Sequence, residues 1–242
     1  MISLADKDNF STVSAKDDPM FCRIYGDFVC ADKLNFRTEN MFWTDGKSLF
    51  MEKTGDSLIL SGKVTDADEI LSFIDFISPR TVMVSENLHD TLALDYKDCG
   101  YIMTAMFKQN DEPHLPDADF RMKDYYSLFQ VCGLESDYSG FCSSMAEYIK
   151  TDTGFFCGKY IDGILAAGAA VTGVTDDSAV ITALAVSENY RRQRLGTDLI
   201  SEISKTLPGR KLIVFRENDR NEEFYKSLGF ENCGLWFIAA MR

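Results

Sequence analysis

The spacing of apolar positions changes repeatedly along the chain, between the helical period of 3.6 residues and the short runs typical of strands. In the first half, apolar residues between 21 and 29 follow helical spacing after the start signal Asp18-Pro19. Two apolar runs that flank Thr54-Gly55-Asp56 predict a hairpin. The predicted elements are a helix at 21–29, strands at 48–53 and 57–62, a helix capped by Thr65 and stopped by Ser78-Pro79, and a strand at 81–85.

The second half shows the same change of period. Ile161-Asp162-Gly163 and Asp176-Asp177 are turn signals, because Asp and Gly tolerate the backbone angles of a tight reversal. The three strands around these turns are therefore predicted to be antiparallel neighbours. The predicted elements are helices at 125–134 and 137–149, strands at 154–160, 164–175 and 178–187, a helix at 195–207, a strand at 211–217, a helix at 220–228 and a strand at 233–241.

A break in the apolar pattern divides the chain at 109–118, where two prolines and several acids interrupt it. We therefore predict a smaller α/β N-terminal domain over 1–112 and a second domain over 113–242, with a mixed, mostly antiparallel sheet flanked by helices. The segment Tyr96–Tyr101 echoes Tyr225–Phe230, each between a helical segment and a last strand. This echo suggests that the first half is a duplicate of the second, and an unrelated N-terminal domain is the alternative.

Composition narrows the classes of function. The formal net charge of −13 repels nucleic-acid phosphates, so we expect no nucleic-acid partner. The chain has no run of eighteen apolar residues and begins with early acids, so we expect a cytoplasmic protein without membrane contact. Seven scattered cysteines without a CxxC pair, and the distant His89 and His114, predict neither a disulfide framework nor a metal site. The acidity favours approach of a cationic amine, although solubility alone also explains it.

One short basic segment stands out in this acidic chain. Arg191, Arg192 and Arg194 fall within four residues, between the predicted strand 178–187 and the helix that follows. A helix N-terminus presents unpaired backbone N–H groups and partial positive charge, and arginines add charge-assisted contacts, so such a turn can bind a pyrophosphate. Gly196 lets the backbone approach the ligand closely. A solvated basic turn is the alternative.

The pattern Arg191-x-x-Arg194-x-Gly196 after an apolar strand resembles the acetyl-CoA-binding RxxGxG/A motif of the GCN5-related N-acetyltransferase (GNAT) family. Arg194 stands where that family usually has glycine. By this resemblance, the backbone of 184–186 pairs with the pantetheine arm, the turn 191–197 holds the pyrophosphate, and N–H groups of a splayed or bulged strand near 184–186 polarise the thioester.

A second segment strengthens the resemblance. Asn218 followed by Phe224–Phe230 is similar to the family's NxxAxxFYxxxGF segment, with Asn221 in place of the usual alanine. Asn218 and Tyr225 lie two helical turns apart and so share a face of the helix. Gly229 fits a left-handed helix C-cap.

The resemblance covers about residues 119–242 and implies the mixed α/β acetyltransferase fold. It implies acetyl-CoA as donor, an amine as acceptor and direct transfer without a covalent enzyme intermediate. Tyr225 would donate a proton to the departing thiolate, and a phenol suits this because its unperturbed pKa near 10 is close to that of a thiol; a buried core aromatic is the alternative. The residues expected to contact acetyl-CoA are Leu184, Ala185, Val186, Arg191, Arg192, Gln193, Arg194, Leu195, Gly196, Thr197 and Asn218.

Other features of the site stay open at the level of sequence. The general base is Glu188, Asp176, a water chain or a residue of the other domain. No RxxGxG pattern occurs before residue 118, so we expect one acetyl-CoA site, with the first half shaping the amine cleft or supporting the second. The sequence indicates neither the amine nor the acyl chain length nor the oligomeric state. A non-catalytic acyl-CoA-binding or regulatory protein, which would need the 191–197 turn but not Tyr225, is the alternative function.

Overall fold

The computed structural model describes residues 1–11, 18–107, 120–135, 137–217 and 221–241. Within these ranges the chain builds an eleven-stranded sheet with helices on both faces. Most neighbouring strands are antiparallel and two pairs are parallel, which confirms the predicted mixed α/β architecture. No helix in this described part of the chain is long and apolar enough to cross a bilayer.

The first half contains each predicted element and several more. Helix α2 begins at Pro19, because the Asp18 side chain accepts hydrogen bonds from the N–H groups of Met20 and Phe21. The cap predicted at Thr65 is wrong: Asp66 caps the next helix by accepting from the N–H of Glu69. The elements are β1 (Ser3–Leu4), α1 (Lys7–Ser11), α2 (Pro19–Lys33), β2 (Met41–Thr44), β3 (Leu49–Thr54), β4 (Ser57–Gly62), α3 (Ala67–Ile77), β5 (Thr81–Ser85), α4 (Glu86–Leu92) and β6 (Tyr96–Met106).

The second half follows its prediction closely, with element ends that differ by a few residues. The three strands around the two predicted turns are antiparallel neighbours, as predicted. The elements are α5 (Met122–Val131), α6 (Tyr138–Lys150), β7 (Phe155–Ile161), β8 (Ile164–Thr172), β9 (Ser178–Val186), a 3-10 turn (Glu188–Tyr190), α7 (Leu195–Thr206), β10 (Lys211–Glu217), α8 (Glu222–Ser227) and β11 (Glu231–Ala240).

The two halves repeat one arrangement of strands. In the first, β2, β3 and β4 pair antiparallel and β4 pairs parallel with β5; in the second, β7, β8 and β9 pair antiparallel and β9 pairs parallel with β10. A helix, α3 or α7, joins each parallel pair. This repetition of order and pairing supports the suggested duplication.

The last strand of each half pairs with the other half. The sheet order is β1-β2-β3-β4-β5-β11-β6-β10-β9-β8-β7, so β11 lies against β5, and β6 lies against β10. The Tyr96–Tyr101 echo is wrong as a guide to equivalent positions, because this segment lies within β6 while Tyr225 lies in α8. The predicted boundary at 112/113 falls outside the described residues and stays a prediction.

Alternating side chains assign the helices to two faces of the sheet. Leu212 and Val214 of β10 pack with α7 and α8, whereas Ile213 between them packs with α2. In β4 and β5 the same alternation places α3 and α4 on the face of α7, which we call the α7 face. Helices α5 and α6 pack on the opposite face together with α2, which we call the α2 face.

Glycine is required at position 100, where β6 pairs with both β10 and β11. The Trp236 indole packs over it and donates through Nε1 to the Arg216 carbonyl oxygen at 3.1 Å. A Cβ at position 100 would collide with that carbonyl oxygen and would lie 2.5 Å from Trp236 Cζ2. Because the carbonyl belongs to the backbone of β10, relief requires the central strands to move apart.

We expect Gly100→Ala to lower the free energy of unfolding by about 3 kcal/mol, the upper range for overpacking a core. Gly234→Ala in β11 is the matched control, because a Cβ there meets no atom within 4 Å, and its expected effect is within about 0.5 kcal/mol. Urea denaturation followed by circular dichroism measures both. Equal effects of the two substitutions would contradict the close contact at Gly100.

Candidate active site

A wedge-shaped gap opens between β9 and β10. The two parallel strands pair only along Ser178–Val180 and Lys211–Ile213, although β9 continues to Val186 and β10 to Glu217. On its other side β9 carries a β-bulge at Thr182, which bends and twists a strand locally. The splayed strand that the sequence led us to expect near 184–186 is therefore present, and we call the gap the wedge.

The backbone of Leu184 and Val186 faces the wedge. The N–H of Ser187 donates to the Ala166 carbonyl oxygen at 2.9 Å, so this residue faces β8. Backbone groups alternate in direction along a strand, so Ala185 also faces β8, whereas Leu184 and Val186 face the open side. An edge of N–H and C=O groups outside the strand ladder thus faces the space for an extended ligand, and its Val186 carbonyl oxygen accepts from the Arg191 side chain.

The described strands of the first half show no comparable gap. Its parallel strands β4 and β5 stay paired along Ser57–Leu60 and Thr81–Val84, nearly to their ends. The helix that follows β4 is capped by an acidic residue, Asp66, which disfavours an anion there. Among the described residues, the combination of open strands and a basic turn occurs in the second half, and one acetyl-CoA site per chain stays a prediction.

The predicted phosphate turn is exposed and strained. Arg191, Arg192, Gln193 and Arg194 are all exposed, and the Arg191 Nε donates to the Val186 carbonyl oxygen at 3.4 Å. Arg192 and Arg194 have φ of 66° and 63°, in the left-handed region that favours glycine. Arg191 before them is extended, with φ of −64° and ψ of 159°. The left-handed backbone at 194 also explains why glycine suits this position.

Helix α7 begins directly after this turn without a side-chain cap. Its N-cap residue is Arg194, and its first helical bond runs from the Asp198 N–H to the Arg194 carbonyl oxygen at 3.0 Å. The N–H groups of Leu195, Gly196 and Thr197 precede this bond and have no intrahelical partner. With the helix dipole they form a site for an anion such as a pyrophosphate.

Gly196 is buried and has a packing role beside the predicted one. A Cβ there would lie 3.2 Å from Phe224 Cζ and 3.7 Å from Val186 Cγ2. The start of α7 therefore sits directly on the end of β9 and on α8. This contact fixes the phosphate turn relative to the helix that carries Tyr225.

Tyr225 is 8% exposed and lies in the core of the α7 face. Its ring centroid is 5.1 Å from that of Phe224 and 5.3 Å from that of Phe230, and Leu184 and Val186 pack against the same cluster. Burial raises the pKa of Tyr225 to about 12. Its hydroxyl therefore stays protonated at neutral pH and is available as a hydrogen-bond donor.

The end of α8 follows its prediction, and one predicted contact falls outside the described residues. Gly229 has φ of 87° and its N–H donates to the Lys226 carbonyl oxygen at 3.0 Å, which confirms the left-handed C-cap. Asn218 lies outside the described ranges, so its contact with the cofactor stays a prediction.

The positions of carboxylates relative to the wedge reduce the number of candidates for the general base. Asp176 precedes β9, and eight residues of strand separate it from Leu184 by roughly 25 Å, which is too far for proton transfer. Glu188 begins the 3-10 turn after β9 and is exposed. Glu217, which we did not select from sequence, ends β10 on the other wall of the wedge. Its position at the carboxyl end of a parallel strand, where α/β sheets bind ligands, was the available signal.

Among the described residues, no three His, Cys, Asp or Glu side chains are grouped so that they could hold a metal ion, and His114 lies outside these residues. The wedge and its turn offer backbone N–H groups, exposed arginines, the Tyr225 phenol and the carboxylates of Glu188 and Glu217.

Comparison with known proteins agrees with this geometry. The model of the acetyltransferase (GNAT) family matches residues 119–230, which include β9, the turn, α7 and Tyr225. No curated protein matches the sequence.

Three solved structures share the fold over most of the chain. A GCN5-related N-acetyltransferase from Sphaerobacter thermophilus is 11% identical, with 98% of this chain and 94% of that chain covered and a TM-score of 0.57. A tandem GNAT protein from the clavulanic acid biosynthesis pathway is 12% identical, with 88% and 86% covered and a TM-score of 0.56. A protein from Drosophila is 11% identical, with 97% and 94% covered and a TM-score of 0.65. The match to a tandem protein fits the repeated arrangement of the two halves.

We expect Arg194→Gly to raise the free energy of unfolding by about 1 kcal/mol, because glycine removes the steric cost of the left-handed backbone. Arg191→Gly is the control, since Arg191 has φ of −64° and gains nothing from glycine. Thermal unfolding by calorimetry compares the two with the parent chain. A loss of stability at position 194 equal to that at 191 would show that the turn is unstrained.

Proposed function

Because residues 119–230 belong to the acetyltransferase (GNAT) family, we propose that the chain moves an acetyl group from acetyl-CoA to an amine by direct attack. The observation that carries this proposal is the wedge, whose open strand edge leads to an uncapped helix N-terminus with three exposed arginines. A long thioester with a pyrophosphate near one end needs both features next to each other.

The residues of the wedge fit acetyl-CoA as a substrate. Leu184 and Val186 offer backbone groups to the amides of the pantetheine arm, as an added strand would. The N–H groups at 195–197 bind the pyrophosphate, and the arginines at 191, 192 and 194 neutralise its charge. Gln193 lies exposed in the same turn. The contacts of Ala185 and Asn218 follow from the family resemblance alone.

The proposed reaction needs positioning, carbonyl polarisation and a donor at sulfur. N–H groups on the open edge of β9 polarise the thioester carbonyl. The ammonium loses one proton to water, its nitrogen bonds to the carbonyl carbon, and the carbon–sulfur bond breaks. The second proton of the amine ends on the sulfur, so free CoA leaves as a thiol.

Tyr225 stabilises the sulfur as it departs. With a pKa of about 12 its phenol is a weaker acid than a thiol, whose pKa is about 8.5. Its contribution is therefore mainly a hydrogen bond donated to the developing thiolate. A non-catalytic acyl-CoA-binding protein would use the turn and the wedge without this donor, which makes Tyr225 the residue that separates the two functions.

We expect Tyr225→Phe to lower kcat about 100-fold, the lower range for loss of one hydrogen-bond donor to a developing charge, with KM for acetyl-CoA within about twofold. A thiol-release assay with a panel of amines measures this. Tyr160→Phe, an exposed tyrosine on β7, is the control and keeps full activity. Because the pKa of Tyr225 is raised to about 12, its ionisation costs no activity below about pH 11. Full activity of Tyr225→Phe would remove this residue from the mechanism.

We expect replacement of Arg191 and Arg192 by alanine to weaken CoA binding at least tenfold, about 1.4 kcal/mol, because two phosphate contacts are lost. Titration calorimetry with CoA measures the change. Arg210→Ala is the control, since the Arg210 Nε donates to the Thr175 carbonyl oxygen far from the turn. Unchanged binding would refute the phosphate assignment, and CoA binding without turnover of any amine would favour the non-catalytic alternative.

A further inference from the structure

A cavity of about 380 Å³ lies on the α2 face of the sheet. It extends from Arg23 in the first turns of α2 across the central strands to Asp98 on β6 and Glu217 on β10. Its floor is apolar, with Phe215 and Trp236 among the largest side chains. The cavity therefore has a cation on one side, two carboxylates on another and an aromatic floor.

Arg23 carries the positive charge of the cavity. Burial raises the pKa of the Asp27 and Glu52 carboxyls, and the Arg23 guanidinium opposes that rise, so its charge also acts on these two groups. Its guanidinium carbon lies 5.3 Å from the centre of the Phe215 ring, and its Nη1 lies 3.6 Å from the Met83 sulfur. No carboxylate of the described residues lies within 4.0 Å of its side-chain nitrogens. An arginine that stacks on an aromatic ring is held in orientation, and its planar fork matches a carboxylate.

The two carboxylates lie at the other end of the cavity, on neighbouring strands. Glu217 pairs with Gly100 in the register of β10 and β6, so Asp98 is its diagonal neighbour, about 7–8 Å away between backbones. Phe215, beneath Arg23, precedes Glu217 by two residues, a distance of about 7 Å along a strand. A cationic group at Glu217 and an anionic group at Arg23 would thus be separated by only a few bonds.

The cavity borders the wedge from the face opposite the phosphate turn. Phe215 and Glu217 belong to the part of β10 that has separated from β9. They continue the alternation of Ile213, which packs with α2, whereas Leu212 and Val214 pack on the α7 face. A molecule in the cavity would therefore reach the wedge from one face while the turn holds the donor from the other.

We propose that the cavity binds the acceptor, a small primary amine that carries a carboxylate and an apolar group, as a free amino acid does. Arg23 binds the carboxylate, Asp98 and Glu217 bind the ammonium beside the wedge, and Phe215 and Trp236 contact the apolar group. The volume suits a molecule of amino-acid or dipeptide size. This inference rests on the proposed acetyl transfer.

Matched pairs of amines test the role of Arg23. Phenylalanine and leucine each have a counterpart without the carboxylate, phenethylamine and isoamylamine. We expect the parent chain to favour the carboxylate-bearing partner at least tenfold in kcat/KM for CoA release. Arg23→Gln should lose this preference through KM for the carboxylate-bearing amine, with no change for its counterpart or in KM for acetyl-CoA. Arg23→Lys, which keeps the charge, should restore part of the preference.

Controls separate this inference from the function on which it rests. Arg37→Gln, an exposed arginine in the turn after α2, should leave the preference unchanged. Turnover of amines without any preference for a carboxylate in the parent chain would overturn the inference and leave acetyl transfer standing. An equal loss for both members of each pair in Arg23→Gln would also overturn it. If Arg23→Gln does not fold, the parent preference and Arg23→Lys decide.

Titration calorimetry tests the cavity assignment even if the protein acetylates none of these amines. Phenylalanine is titrated into the parent chain and into Arg23→Gln in the presence of CoA, which cannot react. Binding that depends on Arg23 supports the cavity assignment even where acetyl transfer fails. Absence of binding to the parent chain, together with absence of turnover of phenylalanine and leucine, overturns the assignment.

Discussion

The backbone pairing of β6 with β10, in the middle of the sheet, is the constraint on which the rest of the molecule depends. All seven residues of β10 pair with β6, from Lys211 with Met106 to Glu217 with Gly100. Strand β10 is therefore held straight along its whole length by a strand from the other half. When β9 bends away at its bulge, β10 cannot follow, and the wedge opens between them. The exchange of last strands thus keeps open the site that the second half needs.

The same arrangement places different parts of the candidate site on the two faces of the sheet. The α7 face carries the phosphate turn and Tyr225, joined by the contact of Gly196 with Phe224. The α2 face carries the cavity, whose walls come from α2 and β6 of the first half and β10 of the second. In the first half the parallel strands β4 and β5 stay paired, so its share of the cavity comes from α2 and β6 rather than from a second gap of this kind among the described residues.

Local sequence patterns predicted much of the fold, whereas the pairing of strands far apart in the chain could not be predicted from them. Turn signals and apolar periods located β7 to β11 and α5 to α8, because these depend on neighbours in the chain. For β6 the sequence indicated only a last strand after Tyr101, without bounds, because its run is interrupted by charged residues at 97 and 98 and its partners lie about a hundred residues away. The similarity between Tyr96–Tyr101 and Tyr225–Phe230 did not identify equivalent positions. Its four similar residues begin in a strand in the first half and in a helix in the second. In the site, the turn and Tyr225 followed from motifs, but Arg23 and Glu217 come together only through the fold.

The strand exchange also has a consequence for biosynthesis. When β6 leaves the ribosome, neither of its partners exists, since β10 and β11 follow about a hundred residues later. Until β10 and β11 are synthesised, the edges of β5 and β6 have no strand partner from the second half. Such exposed edges can pair with other nascent chains. Sheet closure is a late, non-local event, because it requires strands that lie far apart in the sequence to pair. Protection of these edges until β10 and β11 are synthesised would lower that risk.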